Sequence, residues 1–293
     1  MRDFEFHEPQ SIAEASHLLV SHGDRCRMVA GGTALMLVLR QRMVSPSHLI
    51  SLAKIRELRG IAYDESEGLR IGALTVHAEI ARSPVVRLHF PMLADMASRL
   101  ANPQVRNQGT LGGNLCLGDP ATDPPSCLMA LDARAVLSNA SGSRVMKLDE
   151  FIVDYYQTVL RPDEVLSEIR IPPPTFNAGY HARFLRTAAE HRPLVNLALS
   201  AHQDHGQCHD LRMVVGAATA KPTRLVRAEA MLRNKTITRS DVIEAAELAA
   251  ADVDPISDIR GNASFRREMV RVVARRTIEQ VFGLAEPSEK RVA

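Results

Sequence analysis

Two glycine-rich turns constrain this chain more than any other feature. The first is Val29-Ala30-Gly31-Gly32-Thr33-Ala34-Leu35, and the second is Gly109-Thr110-Leu111-Gly112-Gly113-Asn114. Glycine admits positive φ and lets a backbone approach a ligand closely. Successive exposed N–H groups in such turns form a concave nest that attracts anions. The second turn sits within Ala101–Asp123, a stretch carrying Asn102, Gln104, Asn107, Gln108 and Asn114. We read that whole stretch as a ligand-facing loop. Two nests together suggest a ligand with two phosphates or one extended phosphate-bearing group.

The first turn falls between two predicted elements. Arg25 to Ala30 reads as a strand, and Ala34 to about Met43 as a helix that Thr33 caps. Donors at a helix start and the positive end of its dipole favour phosphate. Before it, Ile12 to His22 has the apolar period of an amphipathic helix, with Ser11 as its cap and Gly23 as its stop. His48 to Leu52, Ile61 to Asp64 and Leu69 to Ala73 read as strands. Helices are predicted from Ser83-Pro84, over Met92 to Leu100 and from Asp123-Pro124-Pro125 through Ala130. Ala135 to Ser138, Arg144 to Leu148 and Val165 to Ile171 read as strands, with Asp149 to Tyr156 a short helix among them.

Pro172-Pro173-Pro174 is a stiff connector and marks a domain boundary. Beyond it, Tyr180 to Arg186, Val195 to His202 and Leu211 to Ala218 suggest antiparallel strands, the last two joined at His205-Gly206, with Lys221-Pro222-Thr223 ending the sheet. Helices over Leu225 to Leu232, Ser240 to Ala251 and Ala263 to Phe282 complete the reading. In the last, Phe265, Met269, Val272, Val273 and Ile278 form the apolar stripe, and Arg266, Arg267, Arg271, Arg275 and Arg276 the solvated face.

Composition excludes several classes. The 293 residues carry a net charge of only +2, with 4% aromatics and no tryptophan, which argues against nucleic acid and against a membrane surface. No apolar run is long enough to span a bilayer. The start MRDFEFHEPQS lacks the apolar region of a secretory signal, so a cytoplasmic location is expected. Cys26, Cys116, Cys127 and Cys208 include no CxxC pair, so neither a zinc ribbon nor a cluster held by this chain is indicated. The 11 histidines are dispersed in sequence and read as surface or packing residues, so no metal ligands are assigned. No GxGxxG or GxxxxGK[ST] fingerprint follows a strand, and no nucleophile elbow is present.

The combination AGGTALM, NPQVRNQGTLGGNLCLGDPATD and LRPDEVLSEIRIP, with the later DIRGNASFRREMVRVVARR, closely resembles the FAD-binding subunits of molybdenum hydroxylases. That family includes carbon monoxide dehydrogenase medium subunits and xanthine dehydrogenase flavin domains. The resemblance runs from Phe4 to about Phe282. It implies an α+β, FAD-binding type-2 (PCMH-like) fold of two α+β subdomains, over 1–55 and 56–174, plus a C-terminal antiparallel sheet-and-helix domain over 175–293. It assigns the FAD diphosphate to Val29, Ala30, Gly31, Gly32, Thr33, Ala34, Leu35 and Met36. Thr110, Gly113, Asn114 and Leu115 would form a second binding turn, and Leu100 and Ala101 would lie close by. Asp123 matches an acidic contact that accepts a hydroxyl, Leu166 an apolar contact, and Arg183 a position where relatives carry lysine.

Departures are Gln108 for a common arginine, Leu111 for isoleucine, and His191-Arg192-Pro193 for an acidic stretch. No cysteine-rich insertion is present. The implied activity is that of an oxidoreductase subunit working only in complex, with no catalytic acid, base or nucleophile of its own. Its partners would be a large molybdopterin subunit and a small subunit with two [2Fe–2S] clusters, in a dimer of heterotrimers that delivers electrons to an external acceptor. A self-sufficient flavoenzyme on the same fold and a non-enzymatic nucleotide-binding module are the alternatives.

Overall fold

The computed structural model describes residues 3–187 and 189–285. It divides into two compact units: residues 3–88, 97–119 and 132–173 form the first, and residues 89–96, 120–131, 174–187 and 189–285 the second.

The first unit opens with β1 (Glu5–His7), α1 (Ile12–His22), β2 (Cys26–Val29), α2 (Leu35–Arg40) and β3 (His48–Ser51). The strands form a parallel sheet in the order β1-β3-β2. Both predicted ends of α1 hold: the Ser11 hydroxyl accepts from the Glu14 N–H, and Gly23 stops the helix at φ 51°. Helix α2 is shorter than expected. Its N-cap is Ala34, with no side-chain bond, so Thr33 does not cap it.

A second, antiparallel sheet has the order β4-β5-β10-β6-β7. It is built from β4 (Ile61–Asp64), β5 (Gly68–Gly72), β6 (Arg134–Asn139), β7 (Gly142–Lys147) and, after the small hairpin β8 (Ile152–Asp154) and β9 (Gln157–Thr158), β10 (Val165–Ile171). The expected helix over Asp149–Tyr156 is instead a 3-10 turn followed by β8, because buried Phe151 and Ile152 pin the chain extended there. Between β5 and β6 come α3 (His77–Arg82), which the sequence reading lacked, then α4 (Pro84–His89) and α5 (Pro91–Arg99).

The polar stretch after α5 is not a loop. It holds two short helices, α6 (Pro103–Gln108) and α7 (Leu111–Leu117). Asn102 caps the first by accepting from Val105 N–H at 2.9 Å, and Thr110 caps the second by accepting from Gly113 N–H at 3.1 Å. Glycine weakens a helix by about 1 kcal/mol relative to alanine, but packing repays it here. A Cβ on Gly112 would stand 2.5 Å from the Cβ of Ala73.

The second unit contains α8 (Pro124–Ala130) and the sheet of β11 (Ala178–Phe184), β12 (Val195–Asp204), β13 (Gln207–Gly216), β14 (Thr223–Arg224) and β15 (Lys235–Thr236). Helices α9 (Val226–Leu232), α10 (Arg239–Ala251) and α11 (Ala263–Val281) follow. The sheet does not end at Lys221-Pro222-Thr223, since Thr223 and Arg224 still pair with β13. Strand β12 is buried on both faces. Val195, Leu197, Leu199 and Ala201 join the core beneath α9–α11, while the Ser200 hydroxyl donates to the Ala130 carbonyl of α8. Burial on two faces explains its nearly continuous apolar run.

Two side chains of α11 depart from the expected faces. Phe265 is exposed, set edge-on to Phe184. Arg266, assigned to the solvated face, is fully buried. Its guanidinium donates to the carbonyls of Leu194 and Ala217 at 2.9 and 2.8 Å and to Asp258 Oδ1 at 2.6 Å. Burial pushes the Asp258 carboxyl up, but bonds from the Arg260 backbone, Arg266 and the Arg260 side chain hold it down to about 2. Arg266→Ala is expected to destabilise unit 2 by about 3 kcal/mol, since it orphans buried carbonyls and a paired carboxylate. Urea unfolding checks this, with the exposed Arg276→Ala as a control expected to stay within about 0.5 kcal/mol.

Candidate flavin site

The parallel sheet delivers the chain from Val29 straight into the first glycine turn. Residues 29 to 36 are all half-buried. Among the described residues, the backbone N–H groups of Gly31, Gly32, Thr33, Ala34 and Leu35 donate to no other protein group. The first donor re-engaged is Met36 N–H, which bonds the Gly32 carbonyl at 3.0 Å. Gly32 sits at φ +70°, a left-handed conformation that glycine adopts without strain. Five consecutive free donors at the end of a parallel strand make the nest that the sequence suggests.

The second turn lies against the first. A Cβ on Gly31 would overlap the Gln108 carbonyl and stand 3.0 Å from the Gly109 Cα. A Cβ on Gly109 would lie 3.3 Å from the Thr33 hydroxyl and 3.5 Å from His77 Cδ2. The two motifs, separated in sequence, are therefore in backbone contact within one unit.

The second turn is not the open backbone nest expected of it. Leu111 N–H bonds the Thr75 carbonyl at 3.0 Å and Gly112 N–H bonds the Ala73 carbonyl at 2.8 Å. Gly113 N–H goes to the Thr110 cap, Asn114 N–H to the Thr110 carbonyl, and Leu115 lies inside α7. The first two hold α7 to the segment that follows β5, and the others are taken up by α7's own cap and first turn. A Cβ on Gly113 would meet Thr110 Oγ1 at 2.8 Å and Ala30 Cβ at 3.4 Å, so this glycine fits the second turn to the first.

Leu100 and Ala101 flank the site's approach in sequence, and both carbonyls accept from Arg106 Nη1 at 2.8 Å. Ala101 is held at φ 44°, a conformation a non-glycine residue adopts only when its surroundings impose it. Leu166 is buried on β10, beside the register shift between Leu166 and Glu168.

In the second unit, Asp123, Arg183 and Asn196 come together. Arg183 and Asn196 are cross-strand partners of β11 and β12, so they share a face. Arg183 Nε stands 3.2 Å from Asp123 Oδ2, Asn196 Nδ2 donates to Asp123 Oδ1 at 3.2 Å, and buried His181 lies 3.8 Å away. Asn196 also donates to the Thr122 carbonyl and accepts from Ser126, while Arg183 donates to the His191 carbonyl. The sequence reading singled out Asp123 and Arg183 but not the bond between them, nor Asn196, which hides within an apolar strand.

Residues 2–174 match the family described as FAD binding domain in molybdopterin dehydrogenase. The chain belongs to that family. Residues 181–281 of this flavoprotein match the CO dehydrogenase flavoprotein C-terminal domain. It is 32% identical over 279 residues to the carbon monoxide dehydrogenase medium chain of Hydrogenophaga pseudoflava, covering 95% of this chain and 97% of that one. It is 34% identical over 270 residues to the nicotine 6-hydroxylase medium subunit of Paenarthrobacter nicotinovorans, covering 92% and 94%. Its fold superposes on a solved carbon monoxide dehydrogenase from H. pseudoflava with a TM-score of 0.92 at 32% identity, covering 97% of this chain and 99% of the other. Quinoline 2-oxidoreductase from Pseudomonas putida 86 gives 0.90 at 29%, covering 96% and 98%. The α+β fold and the FAD-binding character implied by resemblance therefore hold. The free donors of Gly31–Leu35 fit a diphosphate group.

His77, which the sequence reading missed, lies against the second turn, its backbone N–H bonded to the Gly109 carbonyl at 3.2 Å. It is buried, its Nδ1 has no hydrogen-bond partner, and burial pushes its ring down to about 4. Between its unfolded value of 6.5 and about 4, the unfolded chain takes up a proton that the native ring refuses. The stability this neutral ring permits is complete above pH 6.5 and declines as pH falls toward 4. His77→Gln is expected to flatten that part of the stability–pH curve, as measured by urea unfolding at pH 7 and pH 5.

Proposed function

We propose that this chain is the FAD-binding electron-transfer subunit of a heterotrimeric molybdenum hydroxylase. It would take electrons from the [2Fe–2S] clusters of a small partner and pass them to an external acceptor. A large molybdopterin partner would carry out substrate oxidation. The observation that carries the reading is the row of free donors from Gly31 to Leu35, set in backbone contact with the second glycine motif. Membership of the family and the likeness to medium subunits of named dehydrogenases support it.

FAD, when bound, supplies both one- and two-electron redox chemistry, while the protein supplies binding, orientation and electrostatics. The N–H groups of Gly31, Gly32, Thr33, Ala34 and Leu35 would hold the diphosphate oxygens, with Val29, Ala30 and Met36 walling the turn. Thr110, Gly113, Asn114 and Leu115 would contribute less through backbone donors than through the surface that α7 presents. Leu100, the strained Ala101 and the apolar Leu166 would line the cofactor. Asp123 and Arg183 are also proposed as cofactor contacts, with Arg183 Nε 3.2 Å from the buried Asp123 carboxylate. No side chain is required as acid, base or nucleophile. No helix among the described residues is long and apolar enough to cross a membrane; a cytoplasmic dimer of heterotrimers is part of the proposal.

Copurification with a molybdenum subunit and an iron–sulfur subunit tests the assembly. A separate experiment tests the cofactor site. Gly32→Val is expected to weaken FAD binding at least about tenfold, or about 1.4 kcal/mol. A β-branched residue is strained at φ +70°, and its branches would crowd Met36 and Val29, already 3.6 and 3.8 Å from a Cβ there. Equilibrium dialysis against FAD measures this, and full flavin occupancy in the variant would sink the placement.

A further inference from the structure

The histidines are scattered along the sequence, but three of them converge in the first unit. His7 ends β1, His22 ends α1, and His48 begins β3. The parallel register sets Glu5 of β1 directly beside His48. One ring nitrogen from each histidine lies within 4.8 Å of the other two. His7 Nε2 and His48 Nδ1 are 3.1 Å apart, and Glu5 Oε2 stands 3.4 Å from His48 Nδ1 and 3.8 Å from His7 Nε2.

These separations suit a metal better than they suit a hydrogen-bond network. A tetrahedral zinc centre with bonds of roughly 2.0–2.1 Å places its ligand atoms about 3.3 Å apart. A single proton shared between His7 and His48 gives no reason for a third imidazole and a carboxylate to gather at the same point. Imidazole nitrogen with one carboxylate oxygen is a donor set for a borderline divalent cation. The backbone supports for three of the donors are rigid, since Glu5 and His7 share β1 and His48 sits on the strand paired with it. The fourth, His22, is at a helix end. Its ring stacks on His48 with centroids 3.7 Å apart and planes 22° from parallel. A ligating ring must point its nitrogen lone pair at the metal in the ring plane, so His22 would tilt out of the stack to complete the site. His7 and His22 are half-buried and Glu5 is exposed, leaving a path for the ion.

We propose that His7, His22 and His48, with Glu5, form a binding site for one Zn2+ ion. The ion would tie β1 and the end of α1 to β3. It is separate from the flavin site, and its test does not depend on flavin or on partner subunits.

The untagged full chain, stripped with a chelator, is titrated with Zn2+ by calorimetry and with Co2+ by visible absorption. One Zn2+ per chain, a four-coordinate Co2+ spectrum and a Zn2+-dependent rise in melting temperature are expected. His7→Ala and His22→Ala should each weaken binding more than about tenfold and abolish the rise. Both replace half-buried residues at element ends, and circular dichroism without metal confirms their folding. If either fails to fold, Glu5→Gln, at an exposed position, takes its place with the same expected direction. Absence of saturable one-to-one binding would overturn the proposal. So would binding that survives these substitutions, as it would if the His202–His209 ring pair in the second unit were responsible.

Discussion

Backbone N–H groups must find acceptors, and among the described residues the first unit leaves five in succession without a protein one. Water can serve half-exposed donors, so the arrangement is not forbidden. It is unusual enough to need a cause, because folded chains pair nearly all such groups when they are sheltered. The cause lies in the local geometry. Strand β2 ends at Val29, Gly32 turns with positive φ, and α2 does not close a backbone bond until Met36. Two parts of the first unit flank that short segment. The parallel sheet sets its origin, and the second turn buttresses its side.

The buttress works because its own donors are committed. Thr75 and Ala73 take the N–H groups of Leu111 and Gly112, and Thr110 takes those of Gly113 and Asn114. A turn that spends its donors on neighbours is stiff, and a stiff neighbour keeps the first turn from collapsing onto itself. The two motifs therefore divide the work, although they look alike in composition. The second unit solves a different problem. It buries a carboxylate at Asp123, met by Arg183 and Asn196, and an arginine at Arg266, met by the Leu194 and Ala217 carbonyls and the Asp258 carboxylate.

Much of the fold was legible because it is periodic. Helix α1, the strand pair β4 and β5, strand β10 and the long strands of the second unit follow alternation or a 3.6-residue stripe, and their turns carry ordinary turn residues. The first nest was legible too, from glycines placed between a strand and a helix. Other elements were hidden for identifiable reasons. Helices α6 and α7 are only six and seven residues long and carry Asn in both and two glycines in the second, residues that disfavour helix; their order comes from caps and from the close seat of Gly112 on Ala73. Arg266 falls on the polar side of its helix by count, yet that turn of the helix runs under the carbonyls of Leu194 and Ala217. The histidine cluster draws on two strands and a helix end, so no spacing rule could have revealed it.

The contact between Gly31 and the Gln108 carbonyl has a consequence for how such chains can vary. Because main chain meets main chain at that contact, no side chain there can absorb a mismatch. A graft that imports one turn from a distant relative would have to bring its counterpart along. Divergence at this seam should proceed by joint exchange, and a recombinant library cut between residues 31 and 108 should be depleted in survivors wherever the parents differ in backbone path on either side.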